Sequence, residues 1–121
     1  MIEKKSKKRY EYFDGSGNRY IIKKGERIIL EYIPIKPQHS SSGVYNGGDY
    51  IKKEMKNHEW KNLISIIKKA IKKEEVHIKN RIKKSGMIIV KGKENKKTYI
   101  IGPNTEELFE INNLLQVLIK N

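Results

Sequence analysis

The sequence predicts an α+β domain, with an antiparallel sheet of about five strands, one long central helix and a C-terminal helix, in the order β-β-β-(β)-α-β-β-α. Three observations carry this expectation. Residues 10–35 read as short β-rich runs broken by glycine turns, residues 58–83 place apolar side chains at helical spacing, and residues 87–118 read as a hairpin followed by a second helical pattern. A run of strands followed by helices favours an antiparallel sheet with helices packed against it.

The first two strands flank Asp14-Gly15-Ser16-Gly17-Asn18, a hairpin signal, with Tyr10 and Tyr12 on one face and Tyr20 placed to pair across it. A second turn at Lys24-Gly25-Glu26 leads into Arg27–Ile35. There Ile28, Leu30 and Tyr32 alternate with Ile29, Ile33 and Ile35, the pattern of a central strand covered on both sides. Pro34 and Pro37 end it, because proline cannot donate to a ladder. Residues 37–49 form the longest loop, rich in serine and glycine, and Tyr50–Met55 is the optional fourth strand.

Asn57 reads as the cap of the central helix. Trp60, Leu63, Ile64, Ile67, Ala70 and Ile71 share one face, and Ile78 and Ile82 return to it, so the helix is expected to run from 58 to 83. Glu74 falls on that apolar face and marks a bend or break. Lys83-Lys84-Ser85-Gly86 resembles a helix end, with cations in the last turn followed by glycine. Met87–Val90 and Thr98–Ile101 make the second hairpin. Asn104 with Glu107 has capping-box spacing, ahead of Leu108, Ile111, Leu115 and Leu118.

The chain has 121 residues, no cysteine and a formal net charge of +13. The length suits one domain at 10–121 behind a basic tail at 1–9. Without cysteine there is no disulfide, thiol catalysis or cysteine-held zinc. No apolar run reaches the ~20 residues of a membrane span, and no apolar stretch follows the charges at the start, so the expected location is the cytoplasm. The charge is uneven. Residues 1–9 carry +4, residues 10–51 are neutral, residues 52–84 carry +8, residues 91–97 carry +3 and residues 104–121 carry −2.

On the expected helix, Lys61, Lys68, Lys72, Lys79 and Lys83 lie within roughly 60° of one another, a row able to follow a phosphate backbone. Arg9, Arg19 and Arg27 beside Tyr10, Tyr12 and Tyr20 suggest base stacking on a sheet, against ordinary core packing of strand tyrosines. In the long loop, Tyr45 and Val44 are the large apolar side chains, and Tyr45 is the candidate anchor of a mobile loop. His39, His58 and His77 have no ligand spacing, and Asp14, Ser16 and Asn18 read better as a turn than as a calcium loop, so no metal or cofactor is expected. Glu31 and Glu74 are the carboxylates that pattern places on apolar faces, too little for an enzyme.

Two functions fit. One is a small non-catalytic module contacting nucleic acid or another polyanion weakly through the tail and the lysine row. The other is a protein-interaction or structural domain, with homo-oligomers open to it, whose charge reflects AT-rich codons. Lysine outnumbers arginine 23 to 4, beside 20 isoleucines, 10 asparagines and one alanine. Planar, bidentate nucleic-acid contacts favour arginine, which is scarce here.

Overall fold

The computed structural model describes residues 8–35 and 48–120. Within them lie β1 (Arg9–Phe13), β2 (Arg19–Lys24), β3 (Ile28–Ile33), β4 (Ile51–Met55), α1 (Asn57–Lys72), β5 (Gly86–Lys91), β6 (Lys96–Ile101) and α2 (Glu106–Lys120). The optional fourth strand is present, so the sheet has six strands, in the order β4-β3-β2-β1-β5-β6. Every pairing is antiparallel. β1–β4 form a meander, α1 carries the chain back across it, and β5 adds beside β1.

Both helices pack on one face. Tyr10, Tyr12, Tyr20, Ile22, Leu30 and Ile88 of the sheet form a single core with Leu63 and Ile67 of α1 and Ile111 and Leu115 of α2. Tyr12, Tyr20 and Tyr32 stand side by side across β1, β2 and β3, with ring centroids 6.0 Å and 4.9 Å apart. α2 meets the hydroxyls of Tyr12 and Tyr20 with polar side chains. The Tyr12 hydroxyl donates to Asn112 Oδ1 at 2.5 Å, and Gln116 Nε2 donates to the Tyr20 hydroxyl at 2.7 Å. Large aromatic rings thus fill the core while their polar ends stay bonded.

The opposite face carries no helix among the described residues, which corrects the expectation that β3 is covered on both sides. Ile28, Leu30 and Tyr32 are buried under the helices, whereas Ile29 and Ile33 on the open face are half-buried, and β3 lies second from the edge.

The central helix is shorter than its apolar periodicity suggests. α1 ends at Lys72 and a single 3₁₀ turn follows at Glu74–Val76. A continued helix would press Glu74 into the core, at the cost of burying a charge. The turn leaves Glu74 and Glu75 exposed and buries Val76 instead. Residues 76–78 then run along the edge of β6: Gly102 N donates to the Val76 carbonyl at 2.7 Å and Ile78 N to the Ile100 carbonyl at 2.9 Å. The return to the sheet is tied by buried Ser85, whose hydroxyl donates to the Ile82 carbonyl at 2.6 Å and accepts from Arg81 Nε at 3.1 Å.

Both caps sit one residue from their expected places. Lys56 precedes α1, with its amide held by Glu59 Oε1 at 2.9 Å, and Asn57 is the first helical residue. At α2 the Thr105 hydroxyl accepts the Leu108 amide at 3.3 Å, while Asn104 takes a left-handed φ of 64°. The 14–18 turn is an Asx motif. Asp14 Oδ1 accepts the amides of Ser16 and Asn18, each at 2.9 Å, which occupies the carboxylate with backbone.

Candidate nucleic-acid interface

The cations of α1 divide into two groups. Lys69 and Lys73 lean toward α2 and pair with Glu110 at 3.3 Å and Glu107 at 2.9 Å. The Lys73 ammonium bonded to Glu107 holds that carboxyl below its ordinary range, and the lysine is raised in turn. Lys61, Lys68 and Lys72 are exposed on the outer side with no acidic partner among the described residues, and Ser65 continues the same line. Helical rise separates Lys61 from Lys68 by roughly 10 Å and Lys68 from Lys72 by roughly 6 Å.

Lys79 and Lys83 are not part of this row. Both are exposed but lie beyond the end of α1, Lys79 directly after residues 76–78 at the β6 edge and Lys83 in the turn before β5. Lys84, next to Lys83, packs on Gly15 of the β1–β2 turn, at the opposite end of the strands from the β5–β6 turn. The five-lysine stripe therefore becomes a three-lysine row on α1.

The row gains cations from elsewhere in the chain. Lys68 lines a groove of about 310 Å³ together with Lys8 ahead of β1 and Lys97 of β6. Tyr10, Ile71 and Tyr99 also line it. Tyr10 is nearly buried, and that burial pushes its hydroxyl above its ordinary value. Tyr99 is half-buried and packs on the His77 ring, with centroids 5.6 Å apart. At the other end of α1, the Lys24 ammonium lies 5.0 Å from the Trp60 ring centroid and ties the β2–β3 turn to the first helical turn. Lys8 and Lys97 were not among the sequence candidates by position. The signal available was the block charge of the tail and of residues 91–97.

The open sheet face is also rich in cations, of which Arg9, Arg19, Lys23 and Lys91 are held by carboxylates. Register places Lys23, Arg9, Lys91 and Lys96 in one row across β2, β1, β5 and β6. Beside that row Glu11, only 2% exposed, meets Arg9 at 3.0 Å, Arg19 at 3.0 Å and Lys91 at 2.9 Å. Burial pushes the Glu11 carboxyl up, and the hydrogen bonds and charges of Lys91 and Arg19 outweigh it, so the group lies below its ordinary range. Lys23 pairs with Glu31 at 3.5 Å, and the Tyr50 hydroxyl donates to Glu31 at 2.5 Å. Glu31 is thus an ion-pair partner on the open face, and Glu74 is a solvent-exposed turn residue.

Base stacking on the first hairpin is excluded by burial. Tyr10, Tyr12 and Tyr20 are 5%, 0% and 1% exposed, and Arg9 and Arg19 point to the other face. Tyr45 and residues 1–7 of the tail lie outside the described residues. His58 is exposed on α1, and His77 Nε2 lies 2.9 Å from the Ala70 carbonyl, so the two imidazoles do not meet at a common site.

Compared with protein-family models, curated proteins and solved structures, the chain matched none.

Proposed function

We propose that this chain is a small non-catalytic module that binds nucleic acid weakly and without sequence preference. Lys61, Lys68 and Lys72 contact phosphates, and Lys8 and Lys97 extend the track around the groove. The observation that carries the reading is the division of the cations. Arg9, Arg19, Lys23 and Lys91 on the sheet face and Lys69 and Lys73 on the inner side of α1 are held by Glu11, Glu31, Glu110 and Glu107, whereas the outer row on α1 has no acidic partner among the described residues. A lysine without a partner releases counterions on meeting a phosphate and loses no internal ion pair.

The alternative is a protein-interaction or structural domain whose charge is compositional. The abundance of lysine with isoleucine and asparagine favours it. Salt dependence separates the two. Fluorescence anisotropy of a labelled single-stranded oligonucleotide, between about 50 and 200 mM salt, should show steep loss of binding. Changing Lys61, Lys68 and Lys72 together to Gln should reduce the log–log slope by roughly 0.7 per lost contact. Changing Lys79 and Lys83 to Gln should alter it less. No binding at low salt, or a slope unchanged in the triple variant, removes the proposal.

A further inference from the structure

α2 turns Leu108, Ile111, Leu115 and Leu118 to the core, yet its outer side is not uniformly polar. Phe109 is 64% and Val117 53% exposed, two of the four large hydrophobic side chains left open among the described residues. They lie on one line with Glu106, Asn113 and Lys120, all exposed. At helical spacing these five residues span about 80° of the helix surface.

The order along that line is self-complementary. Asn113 is the midpoint. Phe109 and Val117 lie equally far on either side of it, and Glu106 and Lys120 lie equally far beyond them. We propose that this crest of α2 pairs antiparallel with the same crest of a second copy, giving a weak symmetric dimer. About a two-fold axis at Asn113, Phe109 of one copy lies level with Val117 of the other, and Glu106 level with Lys120. The two Asn113 amides meet at the centre, where each can donate and accept. Such an isologous contact closes at two copies.

Charge points to the same occupant. The whole chain carries +13 and two copies repel over most of their surface, but residues 104–121 carry −2. The crest itself carries one carboxylate and one ammonium at its two ends, so antiparallel pairing sets opposite charges together twice. Antiparallel helices also set opposite dipole ends side by side. A seam one helix long is small for a stable interface, which makes the dimer a reversible one.

Sedimentation velocity over a concentration series up to the millimolar range tests the proposal. Wild type should shift toward dimer mass as concentration rises. Phe109→Ser with Val117→Ser should remain monomeric with an unchanged circular dichroism spectrum, because both positions are exposed. Glu106→Lys and Lys120→Glu should each weaken association by a few-fold, and the double reversal should recover it. A wild type that stays monomeric at millimolar concentration overturns the proposal. So does association that survives the Ser/Ser change, or a double reversal no better than either single one.

Discussion

Three cations surround the Glu11 carboxylate on a sheet face that no helix covers among the described residues. Arg19 donates to its Oε1 from Nε and Nη2, and Arg9 and Lys91 stand as ion-pair partners within 3.0 Å of its Oε2, so charge compensates the water that the buried carboxylate loses. Replacing Glu11 with Gln should lower stability by about 1–3 kcal/mol at neutral pH, measured by urea denaturation. The pH dependence has a definite sign. The folded carboxyl titrates below its ordinary value of 4.5. Its contribution is therefore full above that value and lost as pH falls through the lower folded one. The gap between wild type and Glu11→Gln should close over that acid range; a gap that stays constant into strong acid would remove the ionic explanation. Gly86 shows how one residue supports two readings. Its place after Lys83-Lys84-Ser85 suggests a helix end, but in the structure it opens β5, and a Cβ there would lie 2.3 Å from Leu108 Cδ1. The glycine is there to admit α2, a reason that no local sequence pattern contains. Gly86→Ala should cost about 1–3 kcal/mol by overpacking, read as a lowered denaturation midpoint.

At the scale of elements, the apolar face of α1 was legible and its end was not. Ile67 is fully buried and Trp60 and Ile71 pack at the core margin, as the spacing implies. Ile67→Ala should cost about 2–5 kcal/mol, and a loss under about 0.5 kcal/mol would place the helix face wrongly. Ile78 and Ile82 keep helical phase by coincidence: Ile78 bonds to the β6 edge and Ile82 is 54% exposed. The visible warning was Glu74, since a carboxylate in an apolar stripe is cheaper to expose through a turn than to bury. The tyrosine row makes a separate test of how α2 is seated. Tyr12→Phe removes the bond to Asn112, and burial holds the Tyr12 hydroxyl in its neutral form, well above its ordinary value. The change should cost about 1 kcal/mol, and Asn112→Ala combined with it should add less than it does alone.

At the scale of the molecule, the alternation of strands gave the fold class, because each strand has a buried face that reads directly in sequence. Strand order did not read the same way. That β5 adds beside β1, after α1 has crossed three strands, depends on long-range contacts. The candidate site inherits that dependence. Lys61, Lys68 and Lys72 share a helix face by spacing alone, but Lys8, Lys68 and Lys97 meet at one groove only because β1, β5 and β6 are neighbours there. The separation of engaged from unengaged lysines likewise needs the positions of Glu107 and Glu110 on α2. Among the described residues no helix is long and apolar enough to cross a membrane.

The two borders of the sheet give the lysines a further consequence. An open border offers unpaired backbone groups to any passing strand, and growth by such addition leads to fibrils. β4 carries Lys52, Lys53 and Glu54 along one border. Residues 76–78 lie along the edge of β6 at Ile100–Gly102, and the strand begins with the exposed pair Lys96 and Lys97 on the remaining length. Among the described residues the β4 border is guarded by charge, and the β6 border by charge and a length of backbone. Exchanging Lys96 and Lys97 for Thr would raise β-propensity where that guard is electrostatic. The variant should fold to the same spectrum and then form thioflavin-positive aggregates with a shorter lag than wild type. On this account part of the lysine excess keeps an isoleucine-rich sheet finite, whatever its outer row on α1 binds.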